Sequence, residues 1–195
     1  MVYEELSKKG LSFKVFNLVK GLRIYSFLNA GCGEFALTKM LHDSGKMVSS
    51  CDLYNKKETH GFDYKAFDLN KKWIYSDDSF DCILLLEVIE HLENPRHVFR
   101  QLQRIVKKKG YAVITSPNPG IWISALNLFL RGNLWGFSQK EYTELFIGHI
   151  TPLFHYDFER LAKEHNFEII KRTSLNNFSN RLFADIFIFI LRKKE

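Results

Sequence analysis

Cysteine and proline are scarce in this sequence, and no disulfide framework or zinc-finger pattern is visible. Its 195 residues include four prolines and three cysteines, Cys32, Cys51 and Cys82, without any Cys-x-x-Cys spacing. Disulfide-stabilised and zinc-binding domains use paired or closely spaced cysteines. The three thiols, each near the end of a predicted strand, are therefore expected to be small buried side chains in a reducing compartment.

Long apolar runs and a basic leader are also lacking. A helix that spans a bilayer needs about 20 apolar residues, and no run in this sequence reaches that length. The first five residues carry Glu4 and Glu5, whereas a signal peptide begins with basic residues. These two features lead us to expect a cytoplasmic protein.

A clustered basic surface is the third missing feature. The formal net charge is +6, which could favour an anionic partner. However, the lysines are scattered or lie in short runs such as residues 107–109, which we interpret as a solvated turn. Because nucleic-acid-binding domains collect basic residues on one face, often among aromatic residues, nucleic acid is not an expected partner.

The residues that are present fit one α/β domain. Strand-like runs cover residues 24–29, 47–51, 64–67, 80–86, 111–115, 167–172 and 185–191, and helical spacing covers 12–21, 34–44, 97–107 and 156–165. Alternating strands and helices build a parallel sheet with helices on both faces. We predict a single domain over residues 1–195, since this length suits one hydrophobic core.

The first chemical motif is a glycine turn between the first strand and the next helix, in the run Leu-Asn-Ala-Gly-Cys-Gly of residues 28–33. Gly31 and Gly33 would let the backbone approach a ligand closely, and the helix N-terminus would offer free N–H groups. The same pattern also suits a tight strand-to-helix turn without a ligand.

Acidic residues follow the next two strands. Asp52 comes about twenty residues after the glycines, where a carboxylate can accept hydrogen bonds from both hydroxyls of a ribose. Asp68 with Leu69 could contact an adenine edge, although Asp68 is equally suited to cap a turn. Together with the glycine turn, these positions indicate an adenosine-containing cofactor, either a nicotinamide dinucleotide or S-adenosylmethionine.

A longer series of motifs separates these two cofactors. Residues 79–95 read Ser-Phe-Asp-Cys-Ile-Leu-Leu-Leu-Glu-Val-Ile-Glu-His-Leu-Glu-Asn-Pro and are followed by the segments 102–110 and 113–118. This series resembles class I S-adenosylmethionine-dependent methyltransferases, in the broad group of ubiquinone-biosynthesis O-methyltransferases and sugar- or polysaccharide-modifying enzymes. The resemblance implies a Rossmann-like, doubly wound, mostly parallel seven-stranded sheet whose last strand is antiparallel.

The resemblance also implies a set of residues that bind S-adenosylmethionine. These residues are Asn29, Gly31, Cys32, Gly33, Asp52, Leu53, Asp68, Leu69, Leu86 and Glu87. Two positions depart from the family pattern, because relatives usually have Asp at position 29 and a small residue at position 35. Asn29 loses a negative charge near the cofactor's ammonium, and Phe35 would crowd the cofactor pocket if its ring pointed inward.

The spacing Glu-x-x-Glu-His places Glu87, Glu90 and His91 on one predicted helical face. In some relatives a similar trio and a distant histidine bind a divalent metal, and His149 is the candidate for that histidine here. Magnesium, manganese or zinc would suit such ligands. The alternative is that the trio caps the helix and borders the acceptor pocket without a metal.

A hydroxyl acceptor must lose its proton as it attacks the methyl carbon, so a general base is needed. The best candidates are His149 and His91, with Glu87 beside them. The resulting hypothesis is an enzyme that methylates a hydroxyl of a small molecule such as a sugar, a polysaccharide precursor or a quinone-like ring. The alternatives are a non-catalytic relative that binds a partner and, third, a nicotinamide oxidoreductase.

An aromatic-rich insertion lies around residues 120–151. Residues 121–130 are apolar around most of a helical circumference, and Trp135 and Phe137 extend this aromatic segment over 121–137. We interpret the insertion as a lid over the acceptor pocket. The alternatives are a helix packed on the sheet and a surface that rests on a membrane or a partner.

Overall fold

The computed structural model describes residues 8–137, 148–178, 180 and 182–195. Seven strands form one sheet in the order β3-β2-β1-β4-β5-β7-β6. In chain order the strands are β1 (Ser26–Ala30), β2 (Met47–Asp52), β3 (Asp63–Ala66), β4 (Phe80–Leu86), β5 (Val106–Pro117), β6 (Phe167–Ser174) and β7 (Ile186–Lys193). The first five strands run parallel, and β7 is antiparallel to both of its neighbours. The predicted sheet is confirmed.

Five α-helices and one short 3-10 turn connect the strands in the described residues. The helices are α1 (Leu11–Val19), α2 (Ala36–Asp43), α3 (Pro95–Ile105), α4 (Trp122–Arg131) and α5 (His155–Glu164), and the 3-10 turn is Ile89–His91. The start of α3 shows why the sequence folds this way. Pro95 occupies the first turn, and the Asn94 side chain accepts a hydrogen bond from the backbone N–H of His97. Both features favour a helix N-terminus.

Two hydrophobic clusters cover the two faces of the sheet. One cluster joins α1 and α2 to the sheet through residues such as Val15, Leu41 and Leu84. The other joins α3 and α5 to the opposite face through Phe99 and Phe158. Because side chains alternate along a strand, the apolar strands supply both clusters.

The segment before β5 differs from the sequence prediction. Helix α3 ends at Ile105, and β5 begins at Val106 rather than at residue 111. The lysines of this segment therefore belong to a strand and not to a solvated turn, and Lys107 pairs with Asp81 at 2.8 Å. Gly110 lies inside β5, where a Cβ atom would meet the carbonyl oxygen of Asp81 at 2.8 Å. Close packing of the backbone, and not the end of a helix, requires glycine there.

The strand order reverses beside β1, since chain connections lead from β1 to β2 on one side and from β3 to β4 on the other. Ligands of open α/β sheets bind at the carboxyl ends of the strands, next to such a reversal. The glycine turn follows β1 at this edge. Among the described residues, no helix is long and apolar enough to cross a membrane.

Candidate functional site

The glycine turn after β1 is tightly constrained. Gly31 has φ 76° and Gly33 has φ 51°, a backbone region that glycine adopts without strain. The backbone N–H groups of Gly31 and Cys32 both donate to the carbonyl oxygen of Cys51, at 2.8 and 3.0 Å. A Cβ atom on Gly31 would lie only 2.3 Å from Cγ2 of Val88. Backbone conformation and available space therefore both require glycine at position 31.

Asp52, at the end of β2, reaches the glycine turn. Its Oδ2 atom accepts a hydrogen bond from the backbone N–H of Gly33 at 2.9 Å, and its Oδ1 atom accepts one from Leu53 at 2.8 Å. A carboxylate has about four acceptor positions, so each oxygen keeps one for a further donor. The geometry leaves Asp52 able to bind two ribose hydroxyls while it fixes the turn.

Asn29 belongs to a buried hydrogen-bond chain below the turn. Its Nδ2 atom donates to Oγ1 of Thr38 at 3.0 Å, and the Thr38 hydroxyl is 2.8 Å from that of Ser50. All three residues are buried. This chain links β1, α2 and β2. Thr38 and Ser50 could not be predicted, because small hydroxyl residues carry no distinctive spacing.

The ring of Phe35 is surrounded by other side chains and does not border an open pocket. The ring is buried and packs against Phe62 and Tyr64, with centroid distances of 5.5 Å to each. The ammonium of Lys56 lies 5.4 Å from the same ring. Phe35 also has φ 63°, a left-handed backbone conformation that is strained for a residue with a side chain. The ring therefore has a packing role, and its effect on the cofactor pocket stays a prediction.

The Phe35→Gly variant should be less stable than the parent protein. Glycine would relieve a left-handed backbone strain of about 1–2 kcal/mol, but loss of a large buried ring costs about 3–5 kcal/mol. We expect a net loss of about 2 kcal/mol in the free energy of unfolding, measured by urea denaturation. Exposed Phe13→Gly, inside α1, is the reference for loss of an aromatic ring at the surface, and glycine within that helix should cost about 1 kcal/mol. A Phe35→Gly protein more stable than the parent would contradict the packing role.

Asp68 and Leu69, the predicted contacts of the adenine edge, and the further predicted cofactor residues Leu53 and Cys32 have different surroundings. Oδ1 of Asp68 accepts a hydrogen bond from the backbone N–H of Asn70 at 2.8 Å, so the residue does cap a turn. Leu69 is buried and Leu53 is half exposed. In the glycine turn, burial raises the pKa of the Cys32 thiol, with Asp52 as a further cause. Cys32 is therefore held as a neutral thiol.

Glu87 directly follows β4 in a left-handed conformation, with φ 55°. Its backbone N–H donates to the Thr115 hydroxyl at 3.0 Å, and this hydroxyl is 3.4 Å from the Glu87 carboxylate. Glu90 and His91 come later, in the 3-10 turn. The prediction that Glu87 shares one helical face with Glu90 and His91 is therefore wrong, because the backbone reverses its handedness at Glu87.

Glu90 is fully buried, at 0% exposure. Neither of its carboxylate oxygens accepts a hydrogen bond from the part of the chain that the structure describes. Its backbone carbonyl accepts two, from the N–H groups of Ile150 at 2.9 Å and Thr151 at 3.0 Å. These bonds bring the His149 loop to the 3-10 turn. A buried carboxylate without donors is costly, so this group either keeps its proton or meets a ligand.

His149 and His91 complete the cluster around Glu90. Nε2 of His149 is 4.0 Å from Oε1 of Glu90, and the two imidazole rings pack edge to face with centroids 4.7 Å apart. One donor atom from each of these three residues lies within 4.8 Å of the other two. Glu87 is not in this set. The structure thus brings together three of the four candidate metal ligands.

The carboxyl groups of Glu87 and Glu90 influence each other's protonation. Burial raises the pKa of Glu87 to about 7, and the Thr115 hydroxyl and Lys8 act in the opposite direction. Burial and the Glu87 carboxylate raise the pKa of Glu90 well above its ordinary value. At neutral pH the pair therefore holds protons that exposed glutamates would have released.

These pKa shifts predict a pH-dependent stability. Between about pH 4.5 and 7 the folded protein keeps a proton that the unfolded chain has lost, so stability falls as the pH rises, by about 1.4 kcal/mol per pH unit for each such group. Urea denaturation at several pH values should show this slope, and Glu87→Gln should flatten it. Exposed Glu168→Gln is the control. A slope that is unchanged in Glu87→Gln would contradict the raised pKa.

Two polar residues near Glu87 escaped the sequence analysis. The Lys8 ammonium is 2.7 Å from Oδ2 of Asp185 and 5.8 Å from the Trp135 ring centroid. Asp185 precedes β7, and its backbone carbonyl accepts a hydrogen bond from Asn118. Lys8, Trp135 and Asp185 are far apart in the sequence, and only the fold brings them together. Part of the predicted lid, residues 138–147, lies outside the described residues.

Comparisons with known proteins agree with this geometry. Residues 5–172 match a family described as "Methyltransferase domain". The ubiquinone biosynthesis O-methyltransferase of Pelagibacter ubique is 24% identical over 177 residues, which cover 86% of this chain and 67% of that protein. The protein of the same name from Rickettsia bellii is 26% identical over 170 residues, or 82% and 64% of the two chains. The chain thus spans about two thirds of the length of these relatives.

A solved structure supports the fold independently. It is the 1,6-didemethyltoxoflavin-N1-methyltransferase of Burkholderia thailandensis, bound to 1,6-didemethyltoxoflavin and S-adenosylhomocysteine. The TM-score is 0.67 at 14% identity, with 94% of this chain and 76% of that chain covered. At this identity the likeness concerns the fold alone.

Proposed function

Because the chain belongs to the methyltransferase domain family and is a class I S-adenosylmethionine-dependent methyltransferase, we propose that it methylates a hydroxyl group of a small acceptor. The observation that carries this proposal is the cluster of His149, His91 and the buried Glu90 at the carboxyl edge of the sheet. Candidate acceptors are a sugar, a polysaccharide precursor or a quinone-like ring. Quinone-like acceptors have additional support from the names of the curated relatives, which are ubiquinone biosynthesis O-methyltransferases.

The cofactor fits the edge formed by the glycine turn and Asp52. Gly31 has no room for a Cβ atom, and the Asp52 carboxylate has acceptor positions left for two hydroxyls. We assign the methionine part to Gly31 and Gly33, near Leu86 and Glu87, and the ribose to Asp52. When bound, S-adenosylmethionine supplies an electrophilic methyl group on a sulfonium centre.

His149 is our candidate for the general base, with His91 beside it. A neutral imidazole can accept the proton that a hydroxyl loses during attack on a methyl carbon. Glu90 lies 4.0 Å from His149, so a positive charge on the imidazole would favour release of the proton that Glu90 holds, and the resulting carboxylate would then stabilise the imidazolium. Glu87 borders the same space from the end of β4. Orientation of the acceptor at the carboxyl edge of the sheet should contribute much of the rate acceleration of methyl transfer.

A divalent metal is compatible with the same three residues. Two unsatisfied carboxylate oxygens on Glu90 and two imidazoles form a donor set that magnesium, manganese or zinc can use. Such an ion would hold the acceptor hydroxyl and lower its pKa. Glu87 lies outside this donor set, so we assign it to the pocket border and not to the metal.

The non-catalytic alternative rested on the two departures from the family pattern. Asn29 takes part in a buried hydrogen-bond chain with Thr38, and the Phe35 ring packs against neighbouring aromatic residues. Both residues therefore have structural roles that do not require a loss of catalysis. For this reason we favour an active enzyme.

The His149→Asn variant tests the proposed base. We expect a roughly 100-fold lower kcat for methyl transfer to 3,4-dihydroxybenzoate, measured by mass spectrometry of S-adenosylhomocysteine and product. Affinity for S-adenosylhomocysteine should change by less than about twofold, because His149 is assigned to the acceptor. Exposed His42→Asn is the matched control.

Further measurements separate the alternatives in this proposal. Loss of activity on exhaustive chelation, restored by magnesium, manganese or zinc, would support the metal; full activity after chelation would exclude it. A nucleoside-diphosphate sugar tested in parallel distinguishes the acceptor classes. If the enzyme methylated an amine analogue but none of the hydroxyl compounds, O-methylation would be contradicted.

A further inference from the structure

Lys56 places a positive charge beside the glycine turn. Its ammonium donates to Oε1 of Glu34 at 3.1 Å, and Glu34 directly follows Gly33 in the chain. The Lys56 side chain is only 17% exposed. Burial raises the pKa of the Cys32 thiol and Asp52 adds to this rise, whereas Lys56 acts in the opposite direction. The ammonium and the Asp52 carboxylate therefore both lie close to the thiol in the turn.

The loop that carries Lys56, residues 53–62, is held in place by aromatic side chains. The Tyr64 hydroxyl donates to the carbonyl oxygen of Tyr54 in this loop, and the Tyr64 ring packs against that of Phe35. The Lys56 ammonium lies 5.4 Å from the centroid of the Phe35 ring, which is within the range of a cation–π contact. A carboxylate and an aromatic ring thus fix the ammonium from two sides.

The ion pair of Lys56 and Glu34 joins the same two chain segments as the carboxylate that we assign to the ribose. Asp52 accepts a hydrogen bond from the backbone N–H of Gly33 at 2.9 Å, one residue before Glu34. Lys56 comes four residues after Asp52. The ammonium is therefore placed next to the position at which the cofactor's two ribose hydroxyls would meet Asp52.

The Lys56 ammonium has hydrogen-bonding capacity left. A lysine ammonium carries three N–H donors, and within the described residues Glu34 is its one hydrogen-bond acceptor. Two N–H groups therefore remain for a ligand. A ribose hydroxyl that donates its hydrogen to Asp52 still has lone pairs on its oxygen. Asp52 and Lys56 thus offer an acceptor and a donor to the same pair of hydroxyls.

We propose that Lys56 is a second ribose-binding residue, which donates a hydrogen bond to a ribose hydroxyl oxygen of the cofactor while Asp52 accepts the hydroxyl hydrogens. This inference rests on the proposed function, because it uses the placement of the ribose at Asp52. It also connects Phe35, one of the two departures from the family pattern, with the cofactor. The Phe35 ring supports the ammonium, so the two side chains act as one unit beside the ribose.

Titration calorimetry with S-adenosylhomocysteine tests this contact without an acceptor or methyl transfer. Lys56→Met keeps an unbranched side chain over the Phe35 ring and removes the donors. We expect about tenfold weaker binding, as for the loss of one hydrogen bond from a charged group. Lys39→Met is the matched control, because it removes the same charge from an ammonium that pairs with Asp43 on α2. It should bind within about twofold of the parent chain, and circular dichroism of both variants verifies the fold.

Analogues of S-adenosylhomocysteine that lack the 2′- or the 3′-hydroxyl separate a ribose contact from support of the loop. For the analogue without the hydroxyl that Lys56 contacts, Lys56→Met should change the affinity by less than about twofold, because the interaction is already absent. An equal tenfold loss for all three ligands would show that Lys56 only holds the loop and would overturn the proposal. Parental affinity of Lys56→Met would overturn it and leave the proposed function standing. The expected binding pattern without methyl transfer would preserve the ribose contact and contradict the proposed function alone.

Discussion

Gly31→Ala is expected to abolish detectable binding of S-adenosylhomocysteine and to destabilise the fold. The new Cβ atom would lie 2.3 Å from Val88, and overpacking of this kind costs about 1–3 kcal/mol. The left-handed backbone, with φ 76°, adds about 1–2 kcal/mol for a residue with a side chain. The free energy of unfolding should fall by about 2–5 kcal/mol in urea denaturation, and titration calorimetry should show no heat of binding.

Two further variants separate the causes. Gly45→Ala has a similar φ, 78°, and nothing within 4 Å of the new Cβ atom, so it should show the backbone effect alone. In the double variant Gly31→Ala with Val88→Ala, the clash is removed and part of the stability should return relative to the sum of the single changes. Additive losses would show that the contact with Val88 is not the cause.

Asp52→Ala should weaken the binding of S-adenosylhomocysteine by about 10- to 150-fold. This range corresponds to the loss of hydrogen bonds to a charged group, about 1.5–3 kcal/mol. The same carboxylate accepts hydrogen bonds from Gly33 and Leu53, so the turn also loses support. Asp52→Asn keeps one acceptor oxygen and should have an intermediate affinity, as measured by calorimetry.

The control for Asp52 is Asp43→Asn, at an exposed carboxylate that pairs with Lys39. It should leave the affinity within about twofold of the parent value. An Asp52→Ala protein with parental affinity would contradict the ribose assignment. If affinity fell only together with stability, Asp52 would support the turn without contacting the cofactor.

The sheet could be predicted because its central strands are buried on both faces. Such strands form continuous apolar runs, and β4 has the bounds expected from its sequence, Phe80–Leu86. The start of β5 could not be predicted, because three consecutive lysines resemble a turn. Lys107 and its pairing with Asp81 show that a tertiary ion pair accommodates this charged segment within a strand.

The candidate site was predictable where it follows from strand ends. The glycine turn and Asp52 come directly after β1 and β2, whose parallel ends must meet. The association of His149 with Glu90 was a prediction from resemblance. The exclusion of Glu87 from their cluster could not be foreseen, since it depends on one left-handed residue that the helical spacing rule does not describe.

Strand β7 is the last strand in the chain but lies inside the sheet, between β5 and β6. During synthesis, β5 therefore keeps an open hydrogen-bonding edge until Ile186–Lys193 has emerged from the ribosome, and such edges attract other strands. A nascent chain of this protein would therefore be exposed to aggregation as long as β7 is missing. A stop codon before residue 186 would leave the β5 edge open permanently, so the presence of β7 determines whether the enzyme can be produced without aggregation.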